Sequence, residues 1–179
     1  MNYENITIRE TGVDDLENTR LLWNNGEVMR FVGFPNGIGV DGEYMVRWLV
    51  WVEKGRPLRN HYSVYEKEIG YCGETFYSID LDHGNAAAMD IKLFPCARGR
   101  GIAQAALSFA IDRAFQNGAA YAWVDPSVLN EKALALYRKL RFVEKPKPAY
   151  LRENEMEGGA QVRYFELQNP DNEEGMKTF

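Results

Sequence analysis

Between residues 87 and 125 the periodicity of the chain changes three times, and this succession limits the fold more than any other feature of the sequence. Residues 87–94 read as a strand, and residues 95–101 (PCARGRG) carry one proline and two glycines. Ile102, Ala103, Ala106, Leu107, Ala110, Ile111, Ala114 and Phe115 then recur at the spacing of one helix face. Asn117-Gly118 has the chemistry of a helix C-terminus, and residues 121–125 return to a strand. A strand, helix and strand in one sheet need a crossover, so those two strands run parallel.

The flanking patterns are different. Residues 6–9 alternate as a strand and residues 14–24 suit a short helix, with Leu16, Leu21 and Trp23 among its apolar positions. Residues 31–40 (FVGFPNGIGV) form a loop. Asp41 caps a second helix in which Tyr44, Met45, Trp48, Leu49 and Val52 share a spacing, until Gly55 and Pro57 stop it. Strands are predicted over residues 61–65, 69–80 and 87–94, the last two joined as an antiparallel hairpin by Asp82-His83-Gly84-Asn85, which makes His83 a solvated turn residue. After the crossover come a helix over residues 129–140 and strands over 142–145 and 161–168. Together these give an α+β domain over residues 1–168, with a polar tail over 169–179 that is expected to be disordered.

Composition narrows the chemistry. A chain of 179 residues is long enough for one domain with a full core, so neither disulfides nor metal staples are required. Cys72 and Cys96 lie 24 positions apart and the only histidines are His61 and His83, which offers no close-spaced metal-ligand cluster. The opening residues MNYENITIRE contain no apolar run, and the few cysteines suit a reducing compartment, so the expected location is cytoplasmic, with no membrane partner. A net charge of -5 without a long Lys/Arg run gives no footprint for nucleic acid. The expected assembly is a monomer or a homodimer.

The turn before the 102–115 helix concentrates the chemistry. Glycines let a backbone approach an anion closely, the open N–H groups and dipole of a helix N-terminus attract phosphate, and Arg98 and Arg100 add two cations at the same point. The plain alternative is a glycine-assisted turn with two solvated arginines. A dinucleotide fold is a second alternative, since Gly99-x-Gly101 follows a strand and Asp125 ends the next one. Its third glycine would fall at Gln104, however, two arginines crowd the turn, and only one strand-helix-strand unit is present.

Read with the following helix, Arg98-x-x-Gly101-x-Ala103 and Asn130-x6-Tyr137 followed by Leu140-Arg141-Phe142 resemble two signatures of the GNAT superfamily of N-acetyltransferases. The stretch LLWNNGEVMRFVG (21–33) is similar to the branch that holds ribosomal-protein alanine N-acetyltransferases. The resemblance runs over residues 6–167. It implies the GNAT fold, a mixed and mostly antiparallel sheet of about seven strands flanked by about four helices. It also implies acetyl-CoA as cosubstrate, no metal, and direct transfer to an amine in a ternary complex.

The residues carry over as follows. Arg98, Gly99, Arg100, Gly101, Ile102 and Ala103 would hold the coenzyme pyrophosphate. The strand ending Leu93-Phe94 would splay from its neighbour and pair with the pantetheine, a backbone N–H near Leu93 polarising the thioester carbonyl. Asn130 would bond the pantetheine, cap its helix, or do both. Tyr137 would be the general acid for the leaving thiolate, with a buried structural tyrosine as the alternative. Glu74 or Asp90 would serve as base, and Asp125 is a further carboxylate in range. Relatives of this style often carry Glu where this chain has Ala88, which leaves the base open. Cys96 is expected to be a small filler residue.

For the acceptor, Phe31, Phe34, Trp48, Tyr71, Tyr77, Trp123 and Tyr150 offer an aromatic wall, with Glu153, Glu155 and Glu157 on the last loop, a set suited to an amine cation or to a core and a solvated loop. The rival function is a domain that binds acyl-CoA without turnover, as a sensor or interaction module.

Overall fold

The computed structural model describes residues 4–152 and 161–171. Its strands are β1 (Ile6–Glu10), β2 (Arg59–Glu66), β3 (Gly70–Asp80), β4 (Ala86–Leu93), β5 (Tyr121–Val124), β6 (Val143–Glu144) and β7 (Phe165–Gln168), in one sheet of order β1-β2-β3-β4-β5-β7-β6. Every pairing is antiparallel except β4 with β5, as the crossover requires. The helices are α1 (Leu16–Trp23), α2 (Gly26–Met29), α3 (Gly42–Gly55), α4 (Ile102–Gln116), α5 (Glu131–Lys139) and α6 (Ala149–Arg152).

The described residues thus hold six helices against about four expected. The two extra helices, α2 and α6, are single turns of four residues, too short to display a helical period. α2 is set by its cap, Asn25 Oδ1 accepting from Val28 N at 3.1 Å. The last strand is shorter than its pattern, because Val162 makes only an isolated bridge to Ser127 before the ladder begins at Phe165. Asn169, assigned by sequence to the tail, is buried and donates Nδ2 to Ala119 O at 3.0 Å.

The two faces of the sheet do different work. Register places His61 opposite Phe76 and Phe76 opposite Asp90, and places Ser63 opposite Glu74 and Glu74 opposite Lys92. All of these therefore share one face, the face on which α1 and α3 lie, with the rings of Trp23 and Trp48 packed edge-on about His61. The alternate residues, among them Tyr62, Tyr77 and Met89, face the other way and pack against Leu107, Ala110, Ile111 and Ala114 of α4 and Leu134 and Tyr137 of α5. Alanines in α4 let the helix lie close to the sheet. A smaller cluster of Val64, Cys72, Leu93, Ala97, Ile102 and Ala106 anchors the start of α4.

β4 and β5 stay in register for three pairs only, Ala86 with Tyr121, Ala87 with Ala122 and Ala88 with Trp123. β5 then ends before Asp125-Pro126, where proline has no N–H to continue a ladder. β4 continues along β3 to the pair Leu93 with Gly73. The two parallel strands consequently part, and a gap opens through the sheet. Gly73 lets β4 keep its course: its φ is +151°, and a Cβ there would lie 2.0 Å from Lys92 O and 2.8 Å from Leu93 Cα. Gly73→Val should therefore lower stability by about 3 kcal/mol. Chemical denaturation checks this, and a wild-type midpoint would show that β4 can move aside freely.

Candidate active site

A cleft of about 560 Å³ occupies the gap between β4 and β5. Its walls come from β4, from residues 123–133 around the end of β5 and the start of α5, and from α2 with the turn after it. The edge of β4 that faces the gap can be read from its hydrogen bonds. Phe94 N–H donates to Cys72 O of β3 at 2.9 Å, so the even-numbered residues of β4 bond to β3 and the odd-numbered ones point the other way. Asn85 O confirms this at the paired end, accepting from Ala120 N at 2.9 Å. Leu93 O faces the gap and accepts from Arg98 Nε at 3.2 Å and Nη2 at 3.1 Å, leaving the Leu93 N–H directed at the cleft. Of the expected pair, Leu93 lies on the cleft and Phe94 does not. The N–H of Phe94 is spent on β3, and its ring packs edge-on against Tyr71.

The glycine turn is built on left-handed backbone. Gly99 and Gly101 both take left-handed φ, +77° and +79°, and Gly101 is the N-cap of α4. The first bond of that helix runs from Ala105 N to Gly101 O, which leaves the N–H groups of Ile102, Ala103 and Gln104 without intrahelical acceptors. The side chain of Ile102 is buried beneath them. Arg100 is exposed at this turn, whereas Arg98 is engaged. Besides Leu93 O it meets Glu27 Oε1 of α2 at 3.1 Å, tying the glycine turn to the opposite wall.

On the far wall, Asn130 caps α5, its Oδ1 accepting from Ala133 N at 3.2 Å, and it also lines the cleft. About two turns on, Tyr137 lines the cleft from within the core, its ring set edge-on to Phe142. Burial pushes the Tyr137 phenol well above its usual range, and the nearby carboxylates of Asp90 and Asp125 push it further, so it stays protonated. Asp125 also lines the cleft and is paired with Lys147 at 2.8 Å.

The two candidate bases are in different surroundings. Asp90 faces the cleft with its side chain 40% exposed. Glu74 does not reach the cleft. Its carboxylate is enclosed and accepts from Trp23 Nε1 at 2.8 Å and from His61 Nε2 at 2.9 Å, with Lys92 Nζ 3.3 Å away. Burial opposes ionisation, but the interactions with His61 and Lys92 and the hydrogen bonds from His61 and Trp23 outweigh it and hold the carboxyl at about 2. Of the two carboxylates read as base candidates, only Asp90 lies on the cleft; Glu74 is enclosed and bonded to Trp23, His61 and Lys92. It organises the site instead.

Three participants were not legible as site residues. Lys92 bridges Glu74 and Asp90, His61 joins Glu74 to Thr11 through Nδ1 at 2.7 Å, and Trp23 ties α1 to β3. Nothing short of the strand register places His61 and Lys92 beside Glu74. Of the aromatic wall, Phe31 and Trp123 line the cleft. Tyr77 is core, with its hydroxyl on Pro57 O. Trp48 packs on His61, Tyr71 stands against Tyr65, and Phe34 is exposed. Tyr150 stacks on the exposed ring of His83 at 3.9 Å. Glu153, Glu155 and Glu157 lie outside the described residues. Cys96, expected as filler, is exposed, whereas Cys72 is buried.

The profile of the acetyltransferase (GNAT) domain family matches residues 5–143, more than half of the chain. The chain belongs to the GNAT family. Solved structures agree on the fold. The spermidine N-acetyltransferase of Vibrio cholerae, in complex with CoA and spermine, superposes with a TM-score of 0.72 at 20% identity, covering 92% of this chain and 96% of that one. The yncA protein of Salmonella typhimurium, holding its cofactor acetyl-CoA, gives 0.71 at 19% identity over 92% and 94%. A GNAT-family acetyltransferase of Streptococcus pneumoniae gives 0.73 at 19% identity over 92% and 99%. No curated protein matches the chain. Among the described residues of this GNAT domain no group of three or more His, Cys, Asp or Glu could hold a metal ion, and no helix is long and apolar enough to cross a membrane.

The buried carboxylate of this GNAT domain has a measurable signature. Because the pKa of Glu74 falls from 4.5 to about 2 on folding, its contribution is fully present above pH 4.5 and is lost as pH falls through 2. The size is on the order of 3 kcal/mol. Denaturation between pH 5 and pH 2 should show this loss in the wild type and a shallower pH dependence in Glu74→Gln. An unchanged acid slope in the variant would uncouple Glu74 from folding.

Proposed function

We propose that the protein transfers an acetyl group from acetyl-CoA to a primary amine, by direct attack of the amine within a ternary complex. One observation carries the reading: in a GNAT domain, the gap between β4 and β5 presents a free backbone N–H, a protonated tyrosine and an amide on one side and an exposed carboxylate on the other. The residues around the gap fit the coenzyme. Left-handed glycines and three open N–H groups at the start of α4, beside Arg98 and Arg100, suit a pyrophosphate. The unpaired edge of β4 suits an extended amide-bearing arm, which would add to it like a strand, with Asn130 on the opposite wall.

When bound, acetyl-CoA supplies an activated acyl group, and no metal is called for. The chain's own residues do the rest. The Leu93 N–H donates to a carbonyl oxygen as negative charge grows on it. Tyr137, held protonated, donates to the departing sulfur. Asp90, on the face of α1 and α3, accepts the proton that the amine gives up, taking the task from Glu74. Cys96, exposed ahead of the glycine turn, has no part in it.

The face of entry separates the two substrates. The glycine turn and α5 belong to one side of the sheet, while Asp90, Phe76, Val28 and Phe31 bring the acceptor to the other. The spermine in the Vibrio cholerae structure supports an amine as the class of acceptor.

Thiol release from acetyl-CoA over a panel of amines tests the proposal. Tyr137→Phe should lower turnover by roughly 10²- to 10⁴-fold while leaving acetyl-CoA affinity unchanged. Wild-type turnover would return this tyrosine to the core. Gly101→Val forces a branched side chain into left-handed backbone at the N-cap of α4 and should abolish coenzyme binding, measured by calorimetry. Coenzyme binding by the wild type without acetylation of any amine would leave a non-catalytic acyl-CoA module.

A further inference from the structure

Lys92 is a charged side chain only 13% exposed, and its place calls for a reason. Enclosing an ammonium is costly unless it is paired, and Glu74 alone would pair it. Lys92 nevertheless reaches two carboxylates, Glu74 Oε1 at 3.3 Å on its buried side and Asp90 Oδ2 on its cleft side. Glu74 is in turn immobile, fixed by Trp23 Nε1 and His61 Nε2. The other Asp90 oxygen, Oδ1, accepts from the N–H of Ile91 at 2.8 Å on the open edge of β4. Both oxygens of a half-exposed side chain are therefore held, one by the strand edge and one by a cation that is itself anchored in the protein.

Two physical consequences follow. A free aspartate on a strand edge samples several rotamers, whereas one clasped at both oxygens keeps a single orientation, with the remaining lone pairs turned to the cleft. Glu74 and Asp90 also share a face of the sheet, and the cation between them cancels their repulsion. The charged and titratable groups that share the cleft with Asp90 are Lys92 on its own strand, Arg98 before the glycine turn, Asp125 after β5, Glu131, Lys132 and Tyr137 of α5, and Arg30 after α2. Only Lys92 is in contact with its carboxylate.

We infer that Lys92 is the positioning residue of the acceptor side: braced by Glu74, its ammonium aims the Asp90 carboxylate at the amine to be acetylated. This rests on the acetyl-transfer reading and extends it to a residue that touches neither the acyl group nor the coenzyme loop. Lys92 meets the amine side only through Asp90, its contact with Glu74 serving as the brace, and that property separates positioning from a general contribution to the fold.

The test is a double-mutant cycle on kcat/KM for an amine that the wild type acetylates, with acetyl-CoA affinity measured in parallel. Lys92→Met should lower kcat/KM for the amine by roughly 10- to 100-fold and leave acetyl-CoA affinity within about 2-fold, the size expected of a misaimed reacting group. Lys92→Arg should recover most of the loss. Asp90→Asn with Lys92→Met should be no slower than Asp90→Asn alone. Multiplying losses in the double variant, or unchanged kcat/KM in folded Lys92→Met, would overturn the inference. If Lys92→Met does not fold, Lys92→Gln, which keeps a donor without the charge, is read in the same way. A wild type that binds acetyl-CoA and acetylates no amine would instead remove the acetyl-transfer reading on which the inference stands.

Discussion

The enclosed carboxylate of Glu74 is the contact on which the site depends. Water cannot reach it, so its charge has to be met by donors fixed in space, and it draws those donors from three elements: Trp23 of α1, His61 of β2 and Lys92 of β4. Meeting that one charge sets the seat of α1 on the sheet. It also packs α3, because Trp48 lies against both the Trp23 and His61 rings, at centroid distances of 4.9 and 4.6 Å. α2 and the turn after it, which follow α1 along the chain, then form one wall of the cleft. A hydrophobic residue in place of Glu74 could fill the volume, but it would leave the Lys92 ammonium with only a half-exposed aspartate to answer it.

The second constraint is the early end of β5. A parallel ladder kept along its whole length would have sealed the sheet and left no room for a ligand between the strands. Pro126 ends the donor row, while Gly73 lets β4 run on along β3 without a clash. The open edge that results carries the Leu93 N–H and the Asp90 carboxylate, and the glycine turn that begins α4 stands at its far end. Strand geometry, rather than any single side chain, thus places an open helix N-terminus, an amide edge, a phenol and a carboxylate around one gap.

Much of this was legible along the chain. The α4 stripe is buried at Ile102, Ala106, Leu107, Ala110, Ile111 and Ala114 and partly buried at Ala103 and Phe115, with Ala105 added where the helix meets the sheet more broadly than one stripe. The glycine turn, the capping asparagine and the tyrosine seven residues on are local patterns, and local patterns survive folding because hydrogen bonds between near neighbours set them. The one-turn helices α2 and α6 were not legible, since four residues display no period. Tyr77 and Trp48 look like binding aromatics in a list of side chains. Tyr77 is buried and Trp48 partly buried because of the strand face and helix face they occupy. Glu74 and Asp90 are the clearest case. Both are acids on neighbouring strands, and only the pairings of Glu74 with Lys92 and of Phe76 with Asp90 show that one is locked inside while the other meets the cleft.

The sequence by itself determined the order of the elements, the crossover that makes β4 and β5 parallel, and the GNAT motifs at the start of α4 and along α5. These depend on spacing within a segment, where 3.6-residue and two-residue periods and glycine φ angles leave few choices. Only the tertiary structure decided which carboxylate faces the cleft, that Lys92 and His61 stand beside Glu74, and that Arg98 spans from Leu93 to Glu27. Those contacts join residues from 5 to 71 positions apart, and their partners are chosen by strand register and by the need to satisfy charge where water is excluded.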